Sequence, residues 1–232
     1  MLLDGVNIKT SLPSPDAFVQ KFKAAKEAGD EVICILIASK LSGTYQGAML
    51  AKQIVDYDGI HVIDAGHAAA SVAEKMLVIA ACRMRDQGCT AEEIARRLEQ
   101  LRGSVRLIAC LDTLEYLARG GRLPAAVASI GTKLQLKPII VFGENGEIQV
   151  VKKCMGSKRA MRDMTEMVTE CRINPEYPVI PIFAQNDRNC QEYVASLKNA
   201  GCVGAMQVPQ GIGATIGSYI GPGGYGIVFV EK

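Results

Sequence analysis

The positions where this chain could do chemistry carry hydroxyls. Ser42-Gly43-Thr44 follows a seven-residue apolar run at 32–38 and precedes a helical pattern with Ala48, Leu50 and Ala51. A strand that turns through Ser, Gly and Thr into a helix leaves backbone N–H groups without intrahelical partners, with hydroxyls beside them. That combination suits an anion, either phosphate or carboxylate. The alternative is that Ser42 or Thr44 only caps the helix. Thr10-Ser11 adds a second pair of hydroxyls. Nothing activates any of them as a nucleophile. There is no G-x-S-x-G elbow, and neither His61 nor His67 stands in a triad context.

Cations come next. Arg119-Gly120-Gly121-Arg122 reads either as a tight turn with solvated arginines or as a fixed pair of cations facing a phosphate or a partner. Lys152-Lys153, Lys158-Arg159 and Arg162 decorate a later stretch, where one cation could serve the site. Residues 217–224, Gly-Ser-Tyr-Ile-Gly-Pro-Gly-Gly, form a glycine-rich segment that lets backbone approach a ligand closely. It lacks the spacing G-x-x-x-x-G-K-[ST], and no G-x-G-x-x-G follows the first strand, so a nucleotide fold is not supported.

Composition narrows the function classes. The 232 residues are 49% hydrophobic and 22% charged, ordinary for a globular chain with ample mass for a core. A net charge of +2 leaves no electrostatic footprint for nucleic acid. No apolar stretch reaches membrane-spanning length, so no integral membrane association is expected. No signal peptide is visible, and a cytoplasmic location is expected. Eight cysteines are spread with no C-x-x-C, so structural thiols are expected rather than a metal site, and no cofactor is implied.

The elements that must position these residues follow from periodicity. Ser14-Pro15-Asp16 opens a helix with Phe18, Val19, Phe22 and Ala25 inward, ending at Gly29. The apolar run at 32–38 reads as a strand buried on both faces. A short strand at 60–64 ends in Asp64, a helix is expected over 69–85, and Thr90-Ala91-Glu92-Glu93 has capping-box spacing before another helix. This order predicts an α/β layer with a parallel sheet over residues 1–104. In residues 105–232, strands are expected at 105–111, 138–142, 148–152, 178–184, 203–208 and 225–230. Asn145-Gly146 marks a hairpin, and helices fall at 124–134, 157–171 and 187–200. The second domain is therefore α/β with a mixed or mainly antiparallel sheet, and a ligand cleft is expected between the two domains.

Together these blocks resemble the DegV family of bacterial fatty-acid-binding proteins. The matching residues are Thr10-Ser11-Leu12-Pro13-Ser14, Ser42-Gly43-Thr44-Tyr45-Gln46, Val62-Ile63-Asp64, Leu114-Glu115-Tyr116-Leu117 with Arg119-Gly120-Gly121-Arg122, Leu136-Lys137-Pro138-Ile139 and Gly221-Pro222-Gly223. The resemblance implies two α/β domains, a long-chain fatty acid held between them, and presentation of that acid to a separate fatty acid kinase. On that reading Thr10, Ser42, Gly43 and Thr44 hold the carboxylate, the clustered hydroxyl of Ser11 stands beside them, Arg159 falls at the family's basic position and Tyr219 is a further donor. Arg119 and Arg122 are then a surface for the kinase. The chain is expected to be a carrier, not an enzyme.

It also departs from the family pattern. The family's first strand and Asp-Ser turn, which precede the Thr10 block, are expected to be missing. Tyr219 stands where a histidine is common, and a phenol can donate to a carboxylate but cannot change charge near neutral pH. Helix formers at Ser71-Val72-Ala73-Glu74-Lys75 replace the family's Ser-x-Gly-x-Gly. The competing readings are an enzyme that clamps a small phosphorylated or carboxylated metabolite at the Ser-Gly-Thr helix start, and a relative that only associates with other proteins.

Overall fold

Two sheets divide the work. The computed structural model describes residues 8–123, 136–202 and 206–232. By contacts the chain separates into two units. One is Ser11–Ser104 with the hairpin tip Glu144–Gly146, and the other is Val105–Gly143 and Glu147–Lys232 with the N-terminal residues through Thr10.

In the first unit, helix α1 (Pro15–Ala28) starts with Pro15 where a missing N–H costs nothing and ends at Gly29 in the left-handed region. The apolar run becomes strand β1 (Val32–Leu36), followed by helix α2 (Thr44–Val55), strand β2 (Ile60–Asp64), and helices α3 (Val72–Asp86) and α4 (Ala91–Leu101). Strands β1 and β2 pair in parallel from Val32↔Ile60 to Leu36↔Asp64. Val19 and Phe22 of α1 pack with Ala48, Ala51 and Val55 of α2 against Ile60. The small alanines let α2 approach closely. Thr90 caps α4 as its spacing predicts: Glu93 N–H donates to Thr90 Oγ1, and Thr90 N–H donates to the Glu93 carboxylate at 3.0 Å.

Two readings change here. All five residues of β1 are half-buried rather than buried on both faces. Among the described residues its sheet has two strands, so β1 has one hydrogen-bonded neighbour and an open edge. The helix expected over 69–85 starts later, at Val72, because Ala69 (φ 44°) and Ser71 (φ 59°) lie outside helical space.

The second unit is built on strands β3 (Val105–Cys110), β4 (Leu136–Phe142), β5 (Ile148–Met155), β6 (Ile180–Phe183), β7 (Gln210–Gly211) and β8 (Tyr225–Val230). Their order is β5-β4-β3-β8-β6-β7, with β6 and β7 parallel and the other neighbours antiparallel. The Asn-Gly hairpin joins β4 to β5 as read. Every residue of β8 is buried, as its continuous apolar run requires of a central strand. Helices α6 (Ser157–Thr169) and α7 (Arg188–Asn199) contribute Met161, Met164, Tyr193 and Leu197 to a core with Ile227 and Phe229. Each such side chain, fully buried, is worth about 1.5–3 kcal/mol.

The strand expected over 203–208 is not formed at its described end. Met206 makes a single bridge to Val179, and the paired strand lies further on at β7. Part of the glycine-rich segment is helix α8 (Ala214–Ile220), whose Ile220 is buried. The helix expected over 124–134 lies outside the described residues. A short helix, α5 (Glu115–Arg119), precedes the glycine pair.

Candidate functional site

The loop from β1 to α2 is folded back on itself. Leu41 N–H and Ser42 N–H both donate to Ala38 O, at 2.9 and 3.3 Å. Ser42 Oγ then accepts from Thr44 N–H at 3.3 Å and lies 2.8 Å from Thr44 Oγ1, so the two hydroxyls share a hydrogen bond at the start of α2. Thr44 is buried and Ser42 half-buried, while Gly43 is exposed. Because α2 begins at Thr44, the amides of Tyr45 and Gln46 have no carbonyl four residues back within the helix. Of the two readings posed above, capping is what the loop itself displays: Ser42 Oγ takes the Thr44 amide. Ser42 thereby satisfies the first of the orphan amides at the start of α2. Leu12 covers Gly43 and Gly47 from the side, and Ser11 beside it is exposed.

What holds this loop is Asp64, a role the sequence hinted at only by an acidic strand end. One carboxylate oxygen, Oδ1, accepts from Ser39 N–H at 3.1 Å and from Gly66 N–H at 3.0 Å. Arg102 Nη1 donates to the Asp64 carbonyl at 2.9 Å, and Arg102 is itself paired with Glu99 at 2.7 Å. The strained carbonyl of Ala69 accepts from Ala38 N–H at 2.8 Å, tying the second loop to the first. Left-handed non-glycine residues of this kind cost about 1–3 kcal/mol each and persist only where neighbours over-determine them. Burial, with Asp64 and Glu99 nearby, pushes the Tyr45 phenol up, so it stays a protonated donor.

In the other unit, Thr10 Oγ1 hydrogen-bonds the Tyr219 hydroxyl, joining two predicted site residues far apart in sequence. The predicted arginine pair splits. Arg119 forms an ion pair with Glu115 along its own helix. Arg122 donates from Nη1 to Gly120 O at 2.7 Å and lies 5.2 Å from the centroid of the Tyr219 ring. Arg159 is mostly exposed, 3.7 Å from Asp163. Thus Ser42, Gly43 and Thr44 are brought together in one unit, and Thr10, Tyr219 and Arg122 in the other.

Other groups fit supporting roles. Burial pushes the Cys34 and Cys154 thiols up to about 11 and those of Cys110 and Cys190 up to about 12, which keeps them protonated and inert as structural cysteines. All eight cysteines are free. An open surface concavity of about 560 Å³ is ringed by Lys52, His61, Glu92, Glu93, Arg96 and Glu99 and contains none of the predicted site residues. Among the described residues no cluster of ligating side chains fits a metal ion, and no helix is long and apolar enough to cross a membrane.

Paired hydroxyls and helix-start amides stand together on a braced strand–helix turn of an α/β unit. The chain belongs to the DegV family: the model described as "Uncharacterised protein, DegV family" matches residues 3–232. It is 34% identical over 237 residues to a DegV domain-containing protein of Caldanaerobacter subterraneus, covering all of this chain and 82% of that protein. It is 30% identical over 232 residues to a protein of Thermotoga maritima named "Fatty acid-binding protein", covering 97% of this chain and 78% of the relative. Among solved structures, one described as "Fatty Acid Binding of a DegV family Protein from Thermus thermophilus" superposes with a TM-score of 0.82. That chain is 29% identical, with 97% of this chain and 79% of the other covered.

Proposed function

We propose that this protein binds one long-chain fatty acid and presents its carboxylate to a fatty acid kinase, which makes the acyl phosphate. The observation that carries the reading is the Ser42–Thr44 hydroxyl pair at the open start of α2, in a chain 30% identical to a relative named for fatty acid binding. A carboxylate removed from water must be hydrogen-bonded, and hydroxyls with helix-start amides do so without a cation. A 16-carbon chain has about 14 methylenes worth about 0.8 kcal/mol each on burial, a gross gain of about 11 kcal/mol. Where an apolar tunnel takes the chain, that can outweigh the cost of immobilising the ligand, about 4–15 kcal/mol.

Thr10, Ser11, Ser42, Gly43, Thr44, Arg159 and Tyr219 are the proposed ligand-binding set, and Arg119 with Arg122 the proposed kinase surface. The protein itself is a cytoplasmic carrier and not an enzyme, because holding and handing over an acid needs no acid–base machinery. Native mass spectrometry of protein purified from bacteria tests the reading. A carrier retains an adduct with the mass of a 14- to 18-carbon acid, about the length whose burial supplies this free energy. Protein that emerges empty, and shifts instead with a phosphorylated metabolite, overturns it in favour of an enzyme.

A further inference from the structure

We propose that Arg122 is a positioning residue for the Tyr219 hydroxyl and, through it, for the ligand carboxylate. This rests on the fatty acid reading above and separates Arg122 from Arg119. The Tyr219 ring is gripped by backbone and cation together. Gly120 lies so close that a Cβ there would overlap ring atoms Cδ1 and Cε1, and the Arg122 guanidinium stands 5.2 Å from the ring centroid. The guanidinium is in turn fixed by its bond to Gly120 O at 2.7 Å. The chain reaches this arrangement because Gly121, at φ 71°, turns it back so that Arg122 N–H donates to Leu117 O at 3.0 Å. With the ring held, its hydroxyl meets Thr10 Oγ1. Arg119, bound to Glu115, takes no part.

The consequence is a population effect. A Tyr219 side chain released from Arg122 spreads over other rotamers, and apparent affinity falls in proportion to the fraction that remains correctly placed. A cation–π contact at an exposed site corresponds to about a two- to fivefold change. Lysine keeps the charge but not the planar group that stacks and donates as a fork, so it restores only part of the effect.

The test measures dissociation constants for a long-chain fatty acid in the wild type, Arg122→Met, Arg122→Lys, Tyr219→Phe and the double variant Arg122→Met/Tyr219→Phe. The expected result is about two- to fivefold weaker binding for Arg122→Met, partial rescue by Arg122→Lys, and no further loss from Arg122→Met once the Tyr219 hydroxyl is gone. Additive losses in the double variant, or unchanged binding in Arg122→Met, overturn the proposal. A lipid-free readout keeps it separate from the functional reading. In protein labelled with 13C-tyrosine, the signal missing from Tyr219→Phe should shift or broaden in Arg122→Met. An unmoved signal overturns the clamp whatever the lipid data. A moved signal in a protein that binds no fatty acid supports the clamp and defeats the fatty acid reading instead.

Discussion

The Tyr116 ring occupies the space that a side chain at Gly221 would need, at a residue whose φ of 76° already disfavours one. The reverse contact is made by Tyr219 on Gly120. Each glycine-rich block thus accepts an aromatic ring from the segment of the other. The Arg-Gly-Gly-Arg and Gly-Pro-Gly blocks, some hundred residues apart, are therefore two halves of one packing unit.

Substituting Gly221→Ala tests this unit. Left-handed strain and overpacking against Tyr116 together should cost about 2–4 kcal/mol, read as a lowered urea midpoint with unchanged slope. A variant within about 0.5 kcal/mol of wild type, the range of a neutral surface change, would show that the ring moves aside freely.

For Ser42→Ala the outcome should differ between folding and binding. The loop loses the acceptor of Thr44 N–H and the partner of Thr44 Oγ1, which should cost about 1 kcal/mol of stability. A hydrogen bond to a carboxylate is worth more, so fatty acid affinity should fall about tenfold. Calorimetric titration measures the second effect, and undiminished affinity removes Ser42 from the site.

Asp64 should matter through the loop it braces. Asp64→Ala leaves the Ser39 and Gly66 amides without their shared acceptor and should destabilise by about 2–3 kcal/mol. Asp64→Asn keeps an oxygen at the same place and should lose less. Equal thermal shifts for the two variants would contradict the brace.

Glu74, in the first turn of α3, gives the protein a pH dependence. Burial raises its carboxyl from 4.5 to about 7, opposed by a hydrogen bond from the Ser71 backbone. The folded chain therefore holds this proton more tightly than the unfolded one. Its contribution is most favourable below about 4.5 and is lost as pH rises through about 7, a swing on the order of 3 kcal/mol. Glu74→Gln should be more stable than wild type at pH 8 and should flatten the profile between pH 5 and 8, as urea unfolding across that range would read. A slope that survives the substitution assigns the dependence elsewhere.

The secondary structure was legible where periodicity and caps are strong: α1 from Ser14-Pro15 to Gly29, α4 from its capping box, the Asn-Gly hairpin and the buried run of β8. The hydroxyl cluster at Ser42 and Thr44 was legible too, because residue type and a strand-to-helix turn are local facts. Burial was less so. A run such as 32–38 shows that a strand wants covering, while the number of neighbours it finds is a property of the sheet.

By itself, then, the sequence determined the element order, the class of fold and the hydroxyl-bearing strand–helix loop, since each depends on residues a few positions apart. Only the tertiary structure decided that Asp64 braces that loop, that Ala69 and Ser71 take strained conformations, that Tyr219 meets Thr10, and that Arg122 parts company from Arg119. These are long-range contacts set by shape and by which backbone groups need partners, and no local spacing records them.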